Sequence, residues 1–83
     1  MILHVGEDVT VSLFDVIAIL DMKSFNASAD NREYLQVAMG EGRVLDISAG
    51  TPESVVVTRD KVVISAVTTS TLRKRAQNWM RLL

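Results

Sequence analysis

The sequence predicts a small α+β domain with the element order β-β-β-α-β-β-β-α. Three observations carry this. Short runs rich in β-branched residues recur along the chain, among them Ser54–Thr58 (SVVVT) and Val62–Val67 (VVISAV), and such residues suit a pleated, partly buried surface. Turn formers separate these runs: Gly6-Glu7-Asp8, Gly40-Glu41-Gly42 and Gly50-Thr51-Pro52,. Two stretches instead place apolar residues at helical spacing behind capping residues, one from Asp30 to Met39 and one after Thr68-Thr69-Ser70,. With 83 residues the chain makes one domain, spanning residues 1–83.

The N-terminal half reads as follows. Ile2–Val5 and Val9–Ser12 flank Gly6-Glu7-Asp8 as a hairpin, with Gly6 or Asp8 in the turn,. Leu13–Met22 is apolar on both faces, and short apolar runs leave helix and strand both open. We read Val16–Asp21 as a strand with a tight entry at Ser12–Asp15, placed centrally or at a contact between copies,. Lys23–Ala29 is polar and reads as a connection. Asn26, Ser28 or Asp30 can cap the next helix, and Asp30-Asn31-Arg32-Glu33 resembles a capping box,. Leu35, Ala38 and Met39, with Tyr34 beside them, form that helix's apolar stripe, and Gly40 and Gly42 end it,. Arg43–Ser48 is a further short strand.

The chain is organised around Gly50–Ala76. Gly50 tolerates unusual dihedrals, and Pro52, lacking an N–H, fits an entry turn,. Arg59-Asp60-Lys61 joins two strands as a hairpin tip, with Asp60 the residue best suited to a left-handed conformation,. Thr68, Thr69 or Ser70 caps the last helix,. Leu72, Ala76, Trp79 or Met80, and Leu83 define its apolar face, while Arg73, Lys74, Arg75 and Arg81 occupy much of the rest,.

Hydrophobic residues make up 48% of the chain, yet a chain this short buries only roughly 60% of the surface its unfolded form exposes. With no Cys to form a disulfide or a thiolate metal site, the surplus apolar surface is expected to close against other copies of the chain. The absence of Cys and of a signal pattern also fits a cytoplasmic protein,. The apolar runs are far shorter than the roughly 20 residues that span a bilayer, so no membrane partner is expected.

The net charge of −1 hides an asymmetry. Residues 1–67 carry 5 basic and 10 acidic side chains, giving −5, and residues 68–83 carry 4 basic and no acidic ones, giving +4. A basic helix on an acidic body fits a phosphate-facing surface. It also fits cations favoured by a helix dipole, although Arg73–Arg75 sit too early in the helix to gain much,.

No catalytic constellation is legible, and the reading is of a protein that is not an enzyme. Gly40-Glu41-Gly42 lacks the Lys-Ser/Thr of a phosphate-cradling loop,. The lone His4 and scattered carboxylates have no metal-ligand spacing,, and no base can be placed beside a Ser or Thr nucleophile. No cofactor and no metal are expected. Trp79 and Tyr34 have the chemistry to stack on bases, but their helical spacing favours core or interface positions,.

Taken together, several segments resemble a known family. They are His4-x-Gly6-x-Asp8, Val11-Ser12, Asp15-x-x-Ala18-Ile19-x-Asp21-x-Lys23, Gly50-Thr51-Pro52-x-Ser54-x-Val56-Val57-Thr58 and Ser70-Thr71-Leu72-x-Lys74-Arg75-Ala76. This set is similar to the RemA/RemB family of small extracellular matrix regulators and covers most of the chain. The resemblance implies a cytoplasmic regulator of biofilm matrix operons, a protomer like the LytTR DNA-binding domain, and a homo-oligomeric ring that wraps double-stranded DNA. It also admits a RemA-type protein as partner. One departure matters. RemA-type members carry an arginine pair directly after the glycine that matches Gly50, implicated in DNA contact, whereas this chain has Thr51 and Pro52. DNA contacts are therefore expected mainly from Arg73, Lys74 and Arg75, with Arg59 and Lys61 at the hairpin tip. The competing expectation is an oligomeric interaction module that co-assembles with a partner and binds no nucleic acid itself.

Overall fold

The computed structural model describes the backbone of residues 1–81 and the side chains of residues 1–78. Six strands and three helices run in the order β1 (Ile2–Gly6), β2 (Val9–Ser12), β3 (Val16–Asp21), α1 (Met22–Asn26), α2 (Ala29–Gly40), β4 (Val44–Asp46), β5 (Ser54–Thr58), β6 (Val62–Ser65) and α3 (Thr69–Arg81). A single 3-10 turn, Leu13–Asp15, leads into β3. The expected strand and helix order is present, with one added helix.

β1 and β2 pair as an antiparallel hairpin. Its turn uses Gly6 at φ 118°, Glu7 at 50° and Asp8 at 59°. Two consecutive left-handed residues match the twist of a two-residue hairpin, and Gly6 takes up the register shift just before them,. The other strands form a four-stranded sheet of order β3-β5-β6-β4, in which β4 runs parallel to β6. β5 and β6 occupy the centre, and six of their nine residues are Val or Ile, as two-sided burial requires,.

Both faces of the sheet are covered. On one face Val56 and Val63 pack with Leu3, Val5 and Val11 of the hairpin and with Leu72 of α3. On the other, Val55 and Val62 pack with Phe25 of α1 and Ala38 of α2. The result is a three-layer α+β unit in which hairpin and α3 share one layer. Ser65 fastens the hairpin to the sheet: its Oγ donates to the Val5 carbonyl at 2.6 Å and accepts the Val67 N–H at 2.9 Å.

Several local expectations are corrected, and others hold. Met22–Asn26 is a helical turn, not part of an irregular connection, because the Asp21 side chain accepts the Ser24 N–H at 3.0 Å as its cap,. Of the three candidate caps for α2, Ser28 serves, accepting the Asn31 N–H, so the helix starts one residue before Asp30. Met39 is exposed, and Leu35 and Ala38 alone face the core. β4 is half the expected length, and β6 stops at Ser65. β3 is an edge strand, not a central one. Asp60 has no positive φ. The Thr58 hydroxyl instead holds the tip, accepting the Lys61 N–H at 3.1 Å, so no left-handed residue is needed. Thr68 is the α3 cap, its Oγ1 accepting the Thr71 N–H. Leu72 is buried and Ala76 packs against the same core, as the helical spacing requires. The side chains of Trp79, Met80 and Arg81, and all of Leu83, lie outside the described residues.

Candidate nucleic-acid interface

Position around α3 decides what its cations can reach. Successive helical residues are rotated by about 100°. Leu72 is fully buried against Val56 and Val63, so Arg73 and Arg75 leave the helix on opposite flanks and Lys74 points away from the core. The contacts agree. On one flank Arg75 Nη1 donates to the His4 carbonyl of β1 at 2.9 Å. On the other Arg73 Nη2 reaches the Ile19 carbonyl of β3 at 3.4 Å. Lys74 is exposed. α3 therefore lies in the trough between the hairpin and the β3 edge, with one arginine over each bank.

A guanidinium carries five N–H donors, and each arginine spends one on a carbonyl. Most donors stay available to an anion, and the carbonyl contact at Arg75 fixes where that fork sits. The Lys74 ammonium stands between the two forks as a point charge. Three cations of this kind on one helix turn, with no acidic residue from 68 to 83, form a surface able to bind successive backbone phosphates.

The remaining candidates are divided between the two ends of the sheet. Arg59 and Lys61 flank the β5–β6 tip. Arg59 is tied down there, its N–H donating to the Asp15 carbonyl at 3.0 Å and its Nε lying 3.9 Å from Asp15 Oδ1. The Gly50-Thr51-Pro52 loop precedes β5 at the other end, roughly 17 Å away along the strand,. That end also carries the start of α3. The structure thus places the loop and the basic helix at the same end of the sheet and the hairpin tip at the other.

The loop is rigidly built. Thr51 N–H and Thr51 Oγ1 both donate to the Ser48 carbonyl at 3.0 Å. Ala49 (φ 52°) and Gly50 (φ 85°) form the left-handed centre of that turn. Asp46 holds its base, with one oxygen accepting the Ser48 N–H at 2.9 Å and the Ser48 hydroxyl at 2.7 Å. Those two bonds, the hydroxyl bond first, favour the ionised form and hold the Asp46 carboxyl below its usual range,.

The aromatic candidates do not join the basic surface. Tyr34 belongs to α2, which packs on the face of the sheet opposite α3. There it lies near Arg43, whose guanidinium donates to Glu41 Oε1 at 2.7 Å and is held more firmly protonated, chiefly by that carboxylate and secondarily by the nearby Tyr34. Among the described residues no group of three or more His, Cys, Asp or Glu could hold a metal ion, and no helix is long and apolar enough to cross a membrane.

With this geometry in place, comparison with known proteins is decisive at the level of family. The RemA-like family, described as extracellular matrix regulatory protein A-like, matches residues 2–76. The chain belongs to the RemA-like family. It is also 39% identical over 77 residues to extracellular matrix regulatory protein B of Bacillus subtilis (strain 168), covering 93% of this chain and 91% of that protein. Both descriptions name a regulatory protein, and neither names a catalyst. The match to the RemA-like family spans the hairpin, the sheet, the turn at Gly50 and the start of α3 through Ala76. The partners of Arg73 and Arg75 within this RemA-like chain had no signal in the sequence. Each is a backbone carbonyl, 54 and 71 residues away, and any residue type can supply one.

Proposed function

We propose that this chain is an oligomeric, DNA-binding transcriptional regulator of the RemA/RemB type that acts on biofilm matrix genes in the cytoplasm. It holds duplex phosphates through Arg73, Lys74 and Arg75. The observation that carries this reading is the radial order on α3: Leu72 in the core, an arginine over each bank, and Lys74 outward between them. Phosphate contact supplies affinity and register, with specificity coming from duplex shape and bending. Copies repeated in an assembly multiply a modest cluster along one duplex. Arg59 and Lys61, at the far end of the sheet, can serve only a duplex that passes both ends or a second duplex.

Fluorescence anisotropy of a long A·T-rich duplex over a salt series tests this. Binding should weaken steeply with salt, with a log–log slope near −0.9 for each phosphate neutralised. Lys74→Ala should lower affinity across all sequences and reduce the slope by about 1 per engaged protomer. It leaves the carbonyl contacts of both arginines in place. No binding at low salt would remove the reading.

The second reading is an interaction module that co-assembles with another regulator and touches no nucleic acid. Thr51 and Pro52 favour it: the RemA-type arginine pair implied by the resemblance is missing at the turn beside the α3 start, and with it two bidentate phosphate ligands.

A further inference from the structure

The outer face of the β1–β2 hairpin continues the surface that α3 presents. Leu13 N–H donates to the Met1 carbonyl at 3.1 Å, which makes those two residues a hydrogen-bonded antiparallel pair. Bonded and non-bonded pairs alternate, so Ile2–Ser12 is non-hydrogen-bonded, Leu3–Val11 bonded and His4–Thr10 non-hydrogen-bonded,. The His4 carbonyl therefore turns away from β2 and out of the hairpin edge, where Arg75 takes it. Side chains alternate across the strand. Leu3, Val5 and Val11 are buried against the sheet, and His4 and Thr10 are exposed on the opposite side,. Lys74 also points away from the core, with the exposed Asn78 one turn further on,. His4 is thus the hairpin side chain set beside the Arg75 fork, on the outward face of the layer that hairpin and helix share. Among the described residues no hydrogen bond or ion pair holds its ring.

We propose that His4 is a further phosphate contact of this face and that its protonation makes duplex binding depend on pH. This rests on the DNA reading above. The charges set the place. Residues 2–12 hold no Lys or Arg, and His4 is the single histidine of the chain, so it is the one side chain of the hairpin that can become a cation. The turn of the hairpin is acidic. Gly6 lies beside Val67, just ahead of α3, so Glu7 and Asp8 stand near the start of that helix and repel phosphate there,. A phosphate track over Lys74 and Arg75 is thereby turned toward His4. The charged surroundings of the ring are Arg75 and Lys74 from α3 and Glu7 and Asp8 from the turn, while Thr10, facing it from β2, is uncharged. Arg75 by itself disfavours a second cation at its side, and a phosphate bound between the two offsets that repulsion. Phosphate binding and imidazole protonation therefore favour each other, so affinity rises as pH falls. A neutral ring donates one N–H and an imidazolium two.

Anisotropy titration of a long A·T-rich duplex over a salt series, at about pH 8 and at about pH 5.5, tests this. The wild-type chain should bind about 2- to 5-fold more tightly at the lower pH for each engaged protomer, the scale of one exposed ion pair. Its log–log salt slope should steepen there by about 0.9 per engaged protomer, because one more phosphate is neutralised. His4→Gln keeps the carbonyl under Arg75 and loses the titrating ring, so it should bind alike at both pH values with the shallower slope. His4→Lys should show the steeper slope already at the higher pH and change little with pH. Circular dichroism at both pH values confirms the fold, and if the Gln variant does not fold, the wild-type slopes and the Lys variant decide. A wild-type slope that does not change with pH, or a His4→Gln chain that keeps the wild-type pH dependence, overturns the proposal and leaves the DNA reading standing. No binding by the wild-type chain at low salt at either pH overturns both.

Discussion

Ala49 holds a left-handed backbone, φ 52°, that L-residues with a Cβ avoid,. The turn around it explains why. Ser48 must bond Asp46 on one side and Thr51 on the other, so the chain reverses within two residues and both need positive φ. Gly50 meets that demand without strain, and Ala49 does not. Ala49→Gly should therefore stabilise the protein by about 0.5–1 kcal/mol, the strain relieved less the added freedom of glycine in the unfolded chain. That is a rise of roughly 2–8 °C in thermal midpoint for a domain of this size, readable by circular dichroism. An unchanged or lower midpoint would mean that the turn is not strained. The Asp46 carboxylate adds a pH signature to the same turn. Its folded value is depressed, so its stabilisation is present above the unfolded value of about 3.9 and is lost as pH falls below it.

At the scale of elements, the hairpin β1–β2 packs on the sheet through Leu3, Val5 and Val11, and among the described residues Ser65 adds a polar link. Its hydroxyl is fully buried and serves both the Val5 carbonyl and the Val67 N–H. Ser65→Ala leaves two backbone groups without that partner and should cost about 1–3 kcal/mol. A urea titration should show a lower midpoint with an unchanged slope if the whole domain still unfolds as one unit. Because the hairpin also supplies the His4 carbonyl under Arg75, its attachment bears on the basic surface. α3 itself illustrates how few residues set a face. Once Leu72 is seated, rotation alone sends Arg73, Lys74 and Arg75 in three directions.

At the scale of the whole molecule, the three-layer packing puts the Gly50 turn and the start of α3 at one end of the sheet and the Arg59–Lys61 tip at the other. If the turn and the helix form one docking surface, arginines at the turn should add to the affinity that the helix provides. Thr51→Arg with Pro52→Arg should then raise duplex affinity and steepen its salt dependence by about 1–2 per protomer, measured by the same anisotropy titration. No gain would separate the turn from the helix surface. The gain has a structural precondition: Thr51 donates its N–H and hydroxyl to Ser48, and only the hydroxyl bond is lost on substitution, so the turn should persist.

Much of the fold was legible because it rests on local rules. The Val-rich blocks, the Gly6-Glu7-Asp8 turn, the glycines after Met39 and the hydroxyl cap before Leu72 each act within a few residues, where periodicity and turn chemistry speak directly. The basic cluster Arg73-Lys74-Arg75 was likewise legible as charge, and the family as a pattern of short motifs. What only the tertiary structure decided is where these pieces meet. The sequence could not show that β3 is an edge, since a strand apolar on both faces reads the same at a sheet centre and at an exposed rim,. Nor could it show that Thr58 would fold the hairpin tip in place of a left-handed Asp60. Above all, it could not show that Arg73 and Arg75 would each find a carbonyl on a different bank of the same trough. Charge is a property of the side chain and can be read off the chain, but its acceptors are backbone oxygens that every residue carries, and only packing selects which of them come within reach.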